Sequence, residues 1–251
     1  MTDALIPFVQ LDMPGRLGIG DGRYLARGDD GEAVLVVETL GAPAPRRRGL
    51  RRPKPRPADD PAPAELPLTR ITAAAAGRFA DRAEAGAWLA AVTADEERQR
   101  AELRVGVTLA NRALHAYRTA AGDPHLPDAS VLHALTVRIG WGTGAQIADS
   151  RWTDAVEVPV EARRPRRLDD VGAQERVAAV LGDRGEVPPA ELLALRAWAD
   201  LEAGRLREAA IQLRAARESL DAAPESPDEA ALRDELRELR RELRRRHGKD
   251  V

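Results

Sequence analysis

Between Asn111 and Trp152 the chain gathers three of its four histidines, two of its four tryptophans and one of its two tyrosines. Asn111 and His115 stand four residues apart, the spacing that places two side chains on one face of a helix. Arg118 follows one step round. Asp123 and His125 flank Pro124, and His133 and Arg138 come next. An imidazole beside a carboxylate and a guanidinium can move protons near neutral pH, or can line a small-ligand pocket. Either chemistry requires Asn111, His115, Asp123, His125 and Arg138 to converge. The plainer assignment is that Asp123 pins a turn and the histidines bond at the surface or between helices.

Other catalytic patterns fit less well. No histidine has a glutamate three residues before it, and H-E-x-x-H is absent, so neither a di-iron bundle nor a zinc-protease helix is encoded. The histidines at 115, 125 and 133 lack chelate spacing, and no metal or other cofactor is expected. Cysteine is absent, which removes disulfides, thiolate metal sites and cysteine nucleophiles from this chain. Gly140-Trp-Gly-Thr-Gly-Ala145 satisfies the dinucleotide-binding string G-x-G-x-x-A, with Glu161 about twenty residues on where a ribose-binding acid would stand. The stretch from Thr143 to Trp152 is too short for a crossover helix, so turn glycines between two helices are the expectation.

The elements that would carry these residues fall into two groups. Residues 5–40 read as short strands: Ile6–Met13, Arg16–Ile19, Tyr24–Arg27 and the apolar run Ala33–Leu40, separated by Gly and Asp-Gly turns. Leu68-Thr-Arg-Ile-Thr72, within 66–76, alternates and is β-branched, and reads as a further strand. Asp81-Arg-Ala-Glu84 and Thr93-Ala-Asp-Glu96 have the form of capping boxes opening two helices, the second ending at Gly122. A third helix is predicted over 128–139. Downstream, helices are predicted over 173–181, 189–203, 206–222 and 228–246. Leu232, Leu236, Leu239 and Leu243 have a/d spacing on the last. That stripe either packs on the preceding helices or forms a homodimer or partner seam.

Residues 42–65 separate the strand segments with an arginine- and proline-rich tract. Arg46, Arg47, Arg48, Arg51, Arg52, Lys54 and Arg56 make seven of eleven residues basic, so the tract is a candidate contact for nucleic acid or another anion. Its composition predicts a disordered loop. A second basic stretch, Arg163–Arg167, reads as a linker. Across the whole chain, 39 basic residues meet 41 acidic ones, so no overall field steers an acidic partner. Only eight residues are aromatic and none lies in either basic stretch, which argues against base stacking. No secretory signal and no membrane-spanning run is apparent, so a soluble cytoplasmic protein is expected.

Two resemblances complete the reading. Ala197, Gly204, Glu208-Ala209, Leu213 and Ala216 make residues 189–222 resemble one tetratricopeptide-type helical hairpin. Pro7-Phe-Val-Gln-Leu11, Arg23-Tyr-Leu25, Thr39-Leu-Gly-Ala-Pro43, Arg138-Ile-Gly-Trp-Gly142 and Gln174-Glu-Arg-Val177 resemble segments of an actinobacterial family of unknown function. That resemblance implies no particular activity. The fold class expected is α+β: a small antiparallel sheet with helices in residues 1–160, a basic linker over 161–170 and an all-α region over 171–251. The leading functional reading is a non-enzymatic interaction or regulatory protein that presents a helical surface to a protein partner. One alternative is an accessory nucleic-acid binder using 46–56 and 163–167; the other is an enzyme or ligand binder built on the 111–138 constellation.

Overall fold

The computed structural model describes residues 4–28, 31–41, 66–74, 77–159, 170–222 and 227–247. The Arg/Pro tract, the Arg163–Arg167 stretch and Glu161 lie outside them. The chain divides into two compact units, Met1–Glu161 and Ala162–Val251. The described residues form an α+β fold, with a six-stranded antiparallel sheet in the first unit and helices throughout the second.

In the first unit β1 (Leu5–Pro14), β2 (Gly22–Gly28), β3 (Gly31–Leu40) and β4 (Leu68–Ala74) precede α1 (Arg82–Ala94) and α2 (Glu96–Ala121). Then come β5 (Thr136–Thr143), the short α3 (Gly144–Ala148) and β6 (Asp154–Glu157). The sheet order is β2-β3-β4-β1-β5-β6, all neighbours antiparallel. Strand alternation gives each face its own residues. Val9, Leu11 and Met13 of β1 join Leu35, Val37, Ile71, Val137 and Ile139 in the main core with Leu89 of α1 and Leu114 of α2. Phe8 turns to the opposite face, where it packs with Ala74 and Ile147. The helices can approach closely because α2 carries Gly106 above Val9. A Cβ there would lie 2.5 Å from the Val9 Cβ.

Three expectations are corrected. The predicted helix over 128–139 does not exist: 128–135 is turns and irregular backbone, and Thr136 onward is strand. Its apolar residues Val137, Ile139 and Trp141 alternate, and β1 pairs with them over Leu5–Asp12. The glycines at 140 and 142 therefore lie inside a strand, with no phosphate-cradling loop. Gly140 is required because the neighbouring strand comes close: a Cβ would lie 2.4 Å from the Asp154 carbonyl. Second, Thr93 caps nothing. It lies inside α1 and donates to the Leu89 carbonyl, while Asp95 is the N-cap of α2, accepting from the Glu97 and Arg98 amides. Third, residues 16–19 belong to a loop, not a strand.

The second unit contains α4 (Asp170–Leu181), α5 (Pro189–Glu202), α6 (Leu206–Asp221) and α7 (Pro227–His247). Its core is mostly alanine and leucine: Ala194, Ala197 and Leu201 from α5 beside Trp198, Ala209, Leu213 and Ala216 from α6, and four leucines from α7. Small residues on α5 and α6 let those two helices lie close together. Leu232, Leu236, Leu239 and Leu243 all turn inward onto them. The stripe is thus a packed core face and is not available as an outward seam. On α7 the charge pairs Asp234–Arg237 and Glu242–Arg246 are formed at 2.5 and 2.8 Å.

Candidate functional site

The 111–138 constellation does not converge. Asn111 is buried on α2, where its amide donates to the Ala129 carbonyl at 2.9 Å and accepts from the Ala129 amide at 2.7 Å. Arg118 donates to the Leu126 carbonyl and pairs with Asp128 at 2.7 Å. Together they clamp the 122–135 loop along the helix. Asp123 accepts from the His125 amide, a local turn, and His125 is exposed. His115 is half-buried on α2, on the helix-covered side of the sheet. Arg138 belongs to the opposite face. Two clefts of about 600 Å³ open on this unit, and none of the five candidates lines either. The physical reason is that Arg138 rides on a strand, where alternation sends it away from the helices. Residues 46–56, the anion-contact candidates, lie outside the described residues.

Arg138 instead completes a polar cluster that the sheet topology assembles. Gln10 and Asp12 follow Phe8 on β1 at period two, so they share its face. In the ladder, Asp12 stands opposite Arg70 on β4 and Thr136 on β5. Gln10 stands opposite Thr72 and Arg138. Arg70 grips Asp12 with two parallel hydrogen bonds, Nε to Oδ1 at 2.7 Å and Nη2 to Oδ2 at 2.9 Å. Arg138 donates through Nη1 to Asp12 Oδ2 at 3.0 Å and to Gln10 Oε1 at 3.2 Å. Gln10 passes the chain on, donating to Thr72 Oγ1 at 2.9 Å. The Arg138 guanidinium lies 5.6 Å from the Trp152 ring centroid, with Glu157 3.7 Å away.

Burial opposes the charge on Asp12, but the hydrogen bonds from Arg70 and Arg138 outweigh it and hold the carboxyl below the usual carboxylate range. Its hydrogen bond to Asp12 raises the Arg70 pKa in turn. The cluster is consequently ionised at neutral pH, and Asp12 is no general acid or base there. Its bonds cross three strands, so what it does is fix register. Sliding β1 by one residue would carry Asp12 to the apolar face. The signal in the sequence was the alternation of Phe8–Met13, polar at 10 and 12 and apolar at 9, 11 and 13. Nothing local pointed to Arg70 as the partner.

A different surface lies on the second unit. Helix α5 buries Ala190, Ala194, Ala197, Trp198 and Leu201, yet Leu192 and Leu195 on its other side are 42% and 52% exposed. They are three residues apart and adjacent on the helix surface. Val177 and Leu181 of α4, four apart, are 51% and 82% exposed. Arg176 of α4 pairs with Glu191 of α5 at 2.8 Å, joining the two helices. Among the described residues no cluster of three or more His, Asp or Glu could hold a metal ion. No described helix is long and apolar enough to cross a membrane. Comparison with protein-family models, curated proteins and solved structures finds no match.

Proposed function

We propose that this chain is a non-enzymatic cytoplasmic interaction protein whose helical unit offers the α4–α5 surface to a protein partner. The carrying observation is the exposure of Leu192 and Leu195 on a helix whose other side is already fully packed. Adjacent apolar side chains that a domain's own core does not use are what partner surfaces are made of. The tetratricopeptide-type likeness of residues 189–222 supports the same reading, since hairpins of that type serve as partner platforms. The polar groups gathered by the sheet are consumed by each other, which gives catalysis no positive support.

The test is cross-linking in the native host with a photoreactive residue at position 195, followed by mass spectrometry. A discrete partner captured by the full chain, and lost in the double substitution Leu192→Ser and Leu195→Ser with unchanged circular dichroism, is the expected result. Capture that survives the double substitution removes the α4–α5 surface from consideration.

A further inference from the structure

The helix-covered face of the sheet is not filled evenly. Leu35, Ile71 and Ile139 fill its centre and β5 side, whereas Ala73, opposite Leu35, and Ala26 and Ala33 toward the β2–β3 turn are small. Ala26 and Ala33 face each other in the ladder, so two small residues coincide. Helix α2 passes over this end, held close at Gly106, and cannot sink further to fill it. The result is an open cleft of about 600 Å³ between α2 and the sheet. That size is within the range of small-molecule sites, which are mostly apolar with a few placed polar groups.

The helical wall has two rows. Ala101, Val105 and Leu109 form an apolar row at spacing four, and Val105 is half exposed to the cleft. Arg104, Thr108 and Arg112 form a parallel row, also at spacing four, that lines the cleft with two guanidiniums and a hydroxyl and no acid. Among the described residues Arg104 has no hydrogen-bond or ion-pair partner. Arg112 gives one hydrogen bond to the Arg27 carbonyl across the cleft mouth, and among the described residues no carboxylate pairs with it. Of the remaining charged lining groups, Arg27 and Glu32 neutralise each other at 3.0 Å, and Glu102 stands on the far side of the apolar row.

From the alanine floor and the Arg104–Thr108–Arg112 row we infer that this cleft binds a small amphiphile with an aliphatic body and one carboxylate head. The body lies on Ala33, Ala73, Val105 and Leu109, and the head meets Arg104 and Thr108. A site of this kind is independent of the α4–α5 surface. It gives the sheet unit a ligand of its own.

Decanoate, decanol and decylamine, each below its aggregation threshold, are titrated into the full chain by calorimetry and methyl NMR. Decanoate is expected to bind saturably and to shift the methyls of Ala33, Ala73, Val105 and Leu109. Decanol binds more weakly and decylamine not at all. Arg104→Ala lowers decanoate affinity about fivefold, the scale of one exposed charge contact, and leaves decanol unchanged. Ala33→Leu fills the floor and abolishes binding of both; if that variant fails to fold, Val105→Ser, on the exposed wall, weakens both instead. Absence of decanoate binding up to its solubility overturns the proposal. So does equal binding of the amine, a set of shifts away from the cleft, or indifference to Arg104→Ala.

Discussion

Asp12 in the sheet unit and Glu191 in the helical unit are both buried carboxylates facing arginine, and their surroundings differ in every other respect. Asp12 lies in a central strand and is gripped from both neighbouring strands, by residues 58 and 126 positions away. Glu191 lies in the first turn of α5, where a negative charge is favoured anyway, and its partner Arg176 is 15 residues earlier and more exposed. In the sheet unit, charge is built into the part that decides strand register. In the helical unit the core is mostly alanine and leucine, and its charge pairs, Arg176–Glu191 and Arg205–Asp200, join residues close in sequence. The first arrangement uses up its polar groups in holding the fold. The second leaves whole helix faces uncommitted.

The sharpest way to break that contrast is Asp12→Ala. Removing the carboxylate leaves two half-buried guanidiniums facing each other with only the exposed Glu157 near one of them, and loss of one partner from such a cluster costs about 3–5 kcal/mol. Hydrogen exchange should lose protection in β1, β4 and β5 and keep it in α5–α7. Glu191→Ala should cost about 1 kcal/mol or less, as expected for a pair with an exposed partner. Equal costs would mean that the two carboxylates do the same work. Acid sharpens the point. The folded pKa of Asp12 is lowered, so its pairs contribute fully above the unfolded value of about 3.9 and the contribution is lost as pH falls through the folded value. Urea unfolding of wild type and Asp12→Asn should therefore differ fully above about pH 4 and approach each other progressively as pH falls below it.

Leu239→Ala makes the reciprocal cut. Leu239 is fully buried where α7 meets α5 and α6. Truncating a buried leucine costs about 2–5 kcal/mol. Protection should fall in α5–α7 with the sheet untouched, the mirror image of Asp12→Ala. A smaller effect is expected from Gly106→Ala. In an open helix that change stabilises by up to about 1 kcal/mol, but here the new Cβ meets Val9, and overpacking costs about 1–3 kcal/mol. A net loss of stability, read by thermal melting, shows that α2 cannot lift off the sheet freely. A net gain would show that it can.

The same contrast explains what the sequence disclosed. The helical unit is local: Gly204, the prolines at 188–189 and the leucine spacing of α7 placed its helices to within a few residues. In the sheet unit, β1, β2, β3 and β4 were legible from alternation and turn residues. Strand β5 was not, because Gly140 and Gly142 read as breakers while the reason for glycine, the approach of Asp154, lies on another strand. Thr93-Ala-Asp-Glu96 misled by two residues because both Thr93 and Asp95 are good caps, and α1 happens to run on through Thr93. The candidate site suffered most. His115, Asp123 and His125 were gathered by nearness in sequence, whereas Asp12, Arg70 and Arg138 are gathered by the ladder, and one chain of letters carries no sign of which strands will be neighbours.

The smallest expected effect on stability is also the one that matters most for function. Leu192→Ser with Leu195→Ser touches neither the core of the helical unit nor any of its ion pairs, and surface changes of that kind stay within about 0.5 kcal/mol each. The melting curve should be nearly that of the wild type, and exchange protection in α5 and α6 should be unchanged. Against Leu239→Ala, which alters the same unit from the inside, the pair separates two roles for leucine on neighbouring helices. If the outward pair proved as costly as the inward one, Leu192 and Leu195 would be holding the unit together and could not be surplus to it. If they are silent in stability and decisive in cross-linking, the apolar surface exists for something outside the unit.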